Sequence, residues 1–437
     1  MSVPDPTTQL LVTVPVVILA CQAGSRLLRR LGQPPVIGEI TVGILLGPSL
    51  LGQLWPQAQQ WLFPDSLLPL VTALGTVGLL AFMFLVGLEL DLNALRGHSR
   101  TAVAVSQVGI WLPLALGAVL ALGMYGPLAP EGTGKLAFVL FSGVAMSITA
   151  FPVLARVLTD RGLYGTPIGA LALACAAVDD VTAWCLLAVV VAVASSTAFS
   201  GALVTAVVAV VFVAAMLFIV RPLMKRGAHL ADRHTDAVVM VLLVSGLCLA
   251  AFATEHIGIH ALFGAFLFGA AVPRNSRKVA RCAGQIRTFV TPVLLPLYFV
   301  VGGLHTNVLL LVQSSTLWLW TAAVLLVAVA GKWGGAALAA RAAGQNWNSS
   351  LAIGALMNCR GLTELIVLNI GRELGVIGTD LFTILVLMAL VSTAATSPTV
   401  SRLLSDPSVS LNARHPLSDA RPVATRSGPP EHHTLVS

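Results

Sequence analysis

Long apolar runs constrain this chain more than any other feature. Leu203 to Val220 and Ala237 to Ala253 each pass without a charged residue. Each is long enough to cross the hydrocarbon core of a bilayer as a helix. Only 10% of the 437 residues are charged, and 57% are hydrophobic. A soluble protein carries about 25% charged residues. With a mean hydropathy of +0.91, the chain cannot cover its apolar surface with water-facing charge. A soluble enzyme and a disordered chain are both excluded. A barrel would alternate apolar and polar residues in stretches of about ten, and these runs do not alternate. The expectation is an all-α polytopic membrane protein, not an enzyme, with membrane lipid as its surroundings.

Apolar runs and breaker residues mark about thirteen spans: 9–29, 34–52, 67–90, 101–124, 135–158, 167–194, 202–221, 236–255, 258–273, 289–304, 315–338, 348–371 and 381–402. Taking the first loop (Arg26, Arg29, Arg30) as cytoplasmic and alternating puts most of the 25 Lys and Arg on that side. Only Lys135 and Arg372 fall outside, and Lys332 and Arg360 fall within spans. The positive-inside rule then sets the N-terminus outside and the C-terminus in the cytoplasm. The net charge of +7 is explained by those loops and does not call for nucleic acid. The six cysteines form no CxxC pair, so neither a zinc site nor a disulfide framework is indicated. Met1 to Gln9 lacks a basic stretch and reads as the approach to a first span, not a signal peptide.

Spans 1–6 and 8–13 form two sets of six that run in opposite senses, the pattern of an inverted repeat. Gly38, Gly43 and Pro48 in span 2 are echoed by Gly264, Gly269 and Pro273 in span 9. The segment 403–437 is rich in Ser, Pro, Arg and His without apolar periodicity, and is expected to be disordered. It is too short for a nucleotide-binding domain.

Ionisable groups within spans are costly and mark function. Away from span ends these are Glu39, Asp179, Asp180, Lys332, Arg360 and Glu364. Asp179 and Asp180 are adjacent near the middle of span 6. Neighbours on a helix point about 100° apart, so one carboxylate can face an ion cavity while the other meets a neighbouring helix. A carboxylate there can hold a proton or a metal cation, but not both at once. That competition is the minimal machinery of exchange. Helix–helix glue is the bland alternative, and one Asn or Ser would serve it more cheaply. Lys332 in span 11 needs a carboxylate partner or a path to the interface, and Asp179 is the expected partner.

Two spans look broken. Pro152 interrupts span 5 after Ser147-Ile148-Thr149, where Thr149 offers a hydroxyl to an ion or an unwound turn; an ordinary proline kink is the alternative. Span 12 carries Met357-Asn358-Cys359-Arg360-Gly361, with Glu364 four residues after Arg360. Those two charges either support a break or simply pair with each other. Glu39 reads as a capping or interface residue. His256, His260 and His305, near outer span ends, are structural or pH-sensing.

These residues sit in stretches that resemble the second family of monovalent cation/proton antiporters. The stretches are Pro35 to Pro48, Phe84 to Glu89, Ser147 to Arg156, Val178 to Asp180, Gly264 to Gly269 and Arg360 to Gly371. That family includes plant cation/proton exchangers, bacterial NapA-like sodium/proton antiporters and the membrane part of Kef systems. The resemblance implies the NhaA/NapA-like fold: a thirteen-helix homodimer with crossed broken helices at spans 5 and 12. It implies dimer-domain helices in 1–95 and 236–312, core-domain helices in 100–197 and 313–402, and a linker helix in 198–235. By the same token Asp180 is similar to the cation and proton carrier, Asp179 is expected to share ion and proton binding with it as well as to pair with Lys332, and Thr149 is similar to a residue lining that ion site. The resemblance further implies a cargo of H⁺ against Na⁺ or K⁺, no cofactor, and a place in the cell membrane.

This chain also departs from the family. It has Asp179-Asp180 where plant exchangers have Asn-Asp. It has His305 where they carry lysine or arginine, so a charge there becomes dependent on pH. Gating through a Kef-type nucleotide-binding domain is not expected, because the segment 403–437 is too short to form one. The rival functions are a sodium-coupled organic-anion symporter of the same architecture, a channel, and a non-transporting membrane sensor.

Overall fold

A computed structural model describes residues 6–404 except 90–98, 164–165, 196–198, 232–234, 259, 274–275 and 310–313. The tail expected to be disordered lies, from residue 405 on, outside the described residues. All regular structure among the described residues is helical. Helices α1 (Pro6–Arg30), α2 (Pro35–Leu46), α3 (Leu68–Glu89) and α4 (Ser99–Leu128) come first. The pairs α5 (Lys135–Ser147) with α6 (Phe151–Asp160) and α13 (Trp347–Met357) with α14 (Leu362–Glu373) are each one interrupted span. Between and after them lie α7 (Pro167–Ser195), α8 (Phe199–Ala215), α9 (Asp236–Ile257), α10 (Ala261–Ala271), α11 (Arg277–Leu304), α12 (Ser315–Ala342) and α15 (Thr379–Leu404).

Among the described residues ten helical segments are long and apolar enough to cross a membrane, with α2 counted through Leu54 and α8 counted as Val207–Arg226. The remaining apolar elements are α10 and the two interrupted pairs. The interruption falls in the fifth span of each expected set of six. The two halves share that one placement, which is in keeping with an inverted repeat of six.

Packing falls into two groups. Helices α1, α2, α3, α9, α10 and α11 pack on one another, and so do α4, α5, α7, α12, α13 and α15. In the first group α2 crosses α11 with almost no separation. A Cβ on Gly303 would stand 2.5 Å from the Gly43 carbonyl carbon, and backbone cannot yield there. Gly303→Ala is expected to cost about 1–3 kcal/mol by overpacking. Gly302→Ala is the control, because its Cβ would meet nothing nearer than 3.4 Å. Comparing melting temperatures in detergent checks this.

Two local features depart from the expected spans. The basic stretch before span 10, expected as a loop, is a helix from Arg277. Ser276 caps it, accepting the Val279 N–H at 3.3 Å. Val279, Cys282 and Ala283 are buried, while Arg281 turns out to pair with Asp236 at 3.0 Å and Arg287 pairs with Glu89. The apolar positions recur at helical spacing, and the high charge hid them in a hydropathy reading. The second feature, among the described residues, is three π-turns, at Met216–Val220, Val290–Leu294 and Ala330–Gly334. The last contains Lys332. Such turns are frequent at functional sites, and no residue pattern announces them.

Candidate ion-binding site

The site is built where the two interrupted spans cross. Between α5 and α6 the backbone is extended, with Ile148 at φ −74°, ψ 141° and Ala150 at φ −96°, ψ 95°. Pro152 stands in the first turn of α6, where its missing N–H costs nothing; its side chain lies outside the described residues. Between α13 and α14 the chain turns at Gly361, whose φ of 143° is open to glycine and strained for other residues.

Each break satisfies the other. Ala150 N–H donates to the Cys359 carbonyl at 2.8 Å. Thr149 Oγ1 donates to the Met357 carbonyl at 2.8 Å, and Thr363 Oγ1 to the Thr149 carbonyl at 3.4 Å. Behind them Thr393 of α15 accepts the Arg360 N–H and donates to the Arg360 carbonyl, both at 2.8 Å. Unwound backbone deep in a membrane protein is tolerated only with such partners. The Thr149 hydroxyl is thus spent on the opposite break.

Two cations close the C-terminal end of α5, where the helix dipole is negative. Arg360 donates to the Ala145 carbonyl at 3.1 Å and to that of Met146. Lys332 Nζ donates to the Ser147 carbonyl. Arg360 also pairs with Glu364 at 2.9 Å, both fully buried. The expected i,i+4 pairing is therefore present, and Arg360 supports the α5 break besides.

The adjacent aspartates diverge as helix geometry requires. Asp179 Oδ2 meets Lys332 Nζ at 2.7 Å, and neither side chain is exposed. Its Oδ1 accepts from Ser106 Oγ of α4 at 3.3 Å. Asp180 points elsewhere. Its Oδ1 is buried with no hydrogen-bond partner, and the backbone amide of Phe151, at the positive end of α6, interacts with its carboxylate. It lines a cavity of about 10 Å³ with Ile148, Trp184, Thr363 and Val367, about the space of one water. A larger cavity of about 550 Å³ between α12, α13 and α15 has mostly apolar walls and does not include either aspartate.

The structure thus brings together Asp179, Asp180, Thr149, Lys332, Arg360 and Glu364. Glu39 is buried in α2 against α1, away from this cluster. The sequence reading did not single out Ser106, Thr363 or Thr393. A lone hydroxyl in an apolar helix gives no signal until its partner is seen.

His305 caps the end of α11 with its Nδ1 buried and unpartnered. Burial first, and the Arg372 guanidinium second, push its imidazole down to about 4 from 6.5. It is neutral at pH 7 and does not reproduce the fixed charge of the plant-type exchangers. Because the unfolded chain takes up this proton first, stability is lost as pH falls from 6.5 towards about 4. The loss is on the order of 1–2 kcal/mol after solvent screening. His305→Gln is expected to flatten that part of a melting-temperature profile against pH.

A model of the family described as sodium/hydrogen exchanger, transmembrane, matches residues 16–405. The Na⁺/H⁺ antiporter NhaS4 of Synechocystis sp. is 41% identical over 92% of this chain and 99% of its own length. Cation/H⁺ antiporter 20 of Arabidopsis thaliana is 38% identical over 98% of this chain, which spans 53% of that longer protein. The solved structure of the sodium proton antiporter MjNhaP1 from Methanocaldococcus jannaschii superposes with a TM-score of 0.65 at 13% identity, covering 94% of this chain and 99% of that one. That likeness carries the antiporter fold. The crossed breaks, the buried charge cluster and these matches agree, and the chain belongs to the transmembrane sodium/hydrogen exchanger family.

Proposed function

We propose that this protein is a secondary transporter that exchanges a monovalent cation, Na⁺ or K⁺, for protons. One observation carries the reading. Of two adjacent buried carboxylates, Asp179 is closed by Lys332 and Ser106, while Asp180 is left with a free oxygen at the crossing of two broken helices. A carboxylate so placed binds a proton or a desolvated cation in turn, with the α6 amide end and Thr363 beside it. The relatives named as Na⁺/H⁺ and cation/H⁺ antiporters support the same reading.

The rest of the assignment rests on that proposal. The chain crosses the cell membrane thirteen times, with the N-terminus outside and the basic loops in the cytoplasm. The group holding α4–α7 and α12–α15 is the moving core, the group holding α1–α3 and α9–α11 is the dimer domain, and α8 links them. The core shuttles Asp180 between the two faces, and two copies of the chain associate through the dimer domain.

The test is proton flux in proteoliposomes. An inside-acid gradient is imposed, a pH dye is followed, and Na⁺, K⁺, Li⁺ or choline is added in turn. Collapse of the gradient by an alkali cation and not by choline is the expected result. No response to any cation from correctly inserted protein would overturn the reading.

A further inference from the structure

Asp179 lies one residue from the proposed carrier and is as deeply buried, yet a second carboxylate at the ion would change what the site accepts. We propose that Ser106 is a positioning residue for the ion site: by holding Asp179 Oδ1 it keeps that carboxylate off the cation, leaves a single-carboxylate site, and thereby sets selectivity among alkali ions. The inference rests on Asp180 being the carrier.

The Ser106 side chain is fully buried on α4, and its hydroxyl reaches Asp179 Oδ1 at 3.3 Å while Lys332 holds Oδ2 at 2.7 Å. Each oxygen of Asp179 therefore has its own donor. A carboxylate held at one oxygen alone can pivot about its Cβ–Cγ bond. One held at both cannot.

The register that makes this contact is itself fixed. On the next residue of α4, Gln107 Nε2 donates to Thr182 Oγ1 at 3.0 Å, and Thr182 Oγ1 donates to the Val178 carbonyl at 2.9 Å. Thr182 lies three residues on from Asp179, so α4 grips α7 at two successive points. Lys332 already neutralises Asp179, and an alanine would fit the helix contact as well as a serine. Orientation of Oδ1 is what the hydroxyl adds.

Cation selectivity follows ligand number, ligand charge and cavity size. A second carboxylate oxygen strengthens the field at the site and favours the smaller ion. Releasing Asp179 Oδ1 therefore shifts preference towards Li⁺ and Na⁺ over K⁺.

The experiment uses the full chain in proteoliposomes. Apparent affinities for Li⁺, Na⁺ and K⁺ are measured by the pH-dye assay for wild type, Ser106→Ala, Ser106→Thr and Asp180→Asn, an untransported ion being scored as a competitor. Ser106→Ala is expected to raise the Na⁺-to-K⁺ affinity ratio by at least about threefold, within the worth of one hydrogen bond to a charged group, and to move the pH of half-maximal exchange. Ser106→Thr, which keeps the hydroxyl, is expected to hold the wild-type ratio. A change confined to maximal rate or melting temperature, with ratio and pH profile unmoved, would reduce Ser106 to helix–helix glue and overturn the inference while exchange through Asp180 stands. Retention of exchange by Asp180→Asn would instead remove the carrier reading, and the inference with it.

Discussion

Asp180→Asn is expected to abolish cation-driven proton movement while the protein folds and reconstitutes as before. The substitution keeps shape and removes the one feature the exchange requires, a group that holds a proton or a positive ion in the same place. An Asn carbonyl oxygen can still ligate a cation, but the side chain takes up and releases no proton, so the coupling is lost outright and not merely weakened. The stability side of the prediction is as specific. Asp180 makes no ion pair among the described residues, and its Oδ1 has no hydrogen-bond partner there. Replacing it by a neutral isostere removes a desolvation cost and breaks no charge pair. The melting temperature in detergent should stay level or rise. Loss of flux together with unchanged or higher stability separates this result from misfolding. Wild-type flux in the variant would move the carrier role away from Asp180.

Much of this site was legible in the residues, for physical reasons. Charges within apolar spans are costly enough to be few, so Asp179, Asp180, Lys332, Arg360 and Glu364 stood out one by one. The 100° step between helix neighbours separated the roles of the two aspartates. Pro152 marked the first break because proline lacks an N–H, and the polar Asn358-to-Gly361 segment inside an apolar span marked the second; the positive φ of Gly361 came only with the structure. Ser106, Thr363 and Thr393 were not legible, since hydroxyls occur throughout apolar helices and acquire meaning only from a partner on another helix. Thr149 was legible as a residue but not in its bonding, because its acceptor lies 208 residues away. The capping of α5 by Arg360 was also hidden: its i,i+4 partner Glu364 offered a sufficient local account. The amphipathic start of α11 and the π-turn at Lys332 were missed because hydropathy averages over the first and no pattern encodes the second.

Lys332→Met is expected to be the most destabilising of these substitutions, and its rescue the most informative. The wild-type side chain is fully buried against Asp179 and donates to the Ser147 carbonyl at the negative end of α5. Removing it leaves a buried carboxylate without its cation and a helix end without its cap. Breaking one partner of a buried pair costs about 3–5 kcal/mol, enough to depress the melting temperature and the yield of folded protein. Asp179→Asn in the same chain removes the stranded charge, so the double variant should recover most of that loss, leaving only the vacant cap on α5. A double variant no more stable than Lys332→Met alone would mean that Lys332 serves mainly the α5 carbonyl. The same pair tests the charge moved per cycle. With both ionisable partners gone, Asp180 alone carries the exchange, one proton for one cation. Exchange by the folded double variant is then expected to ignore an imposed membrane potential. If wild-type exchange responds to potential and the double variant responds equally, the Asp179–Lys332 pair plays no part in the charge balance and acts as scaffold for the crossing.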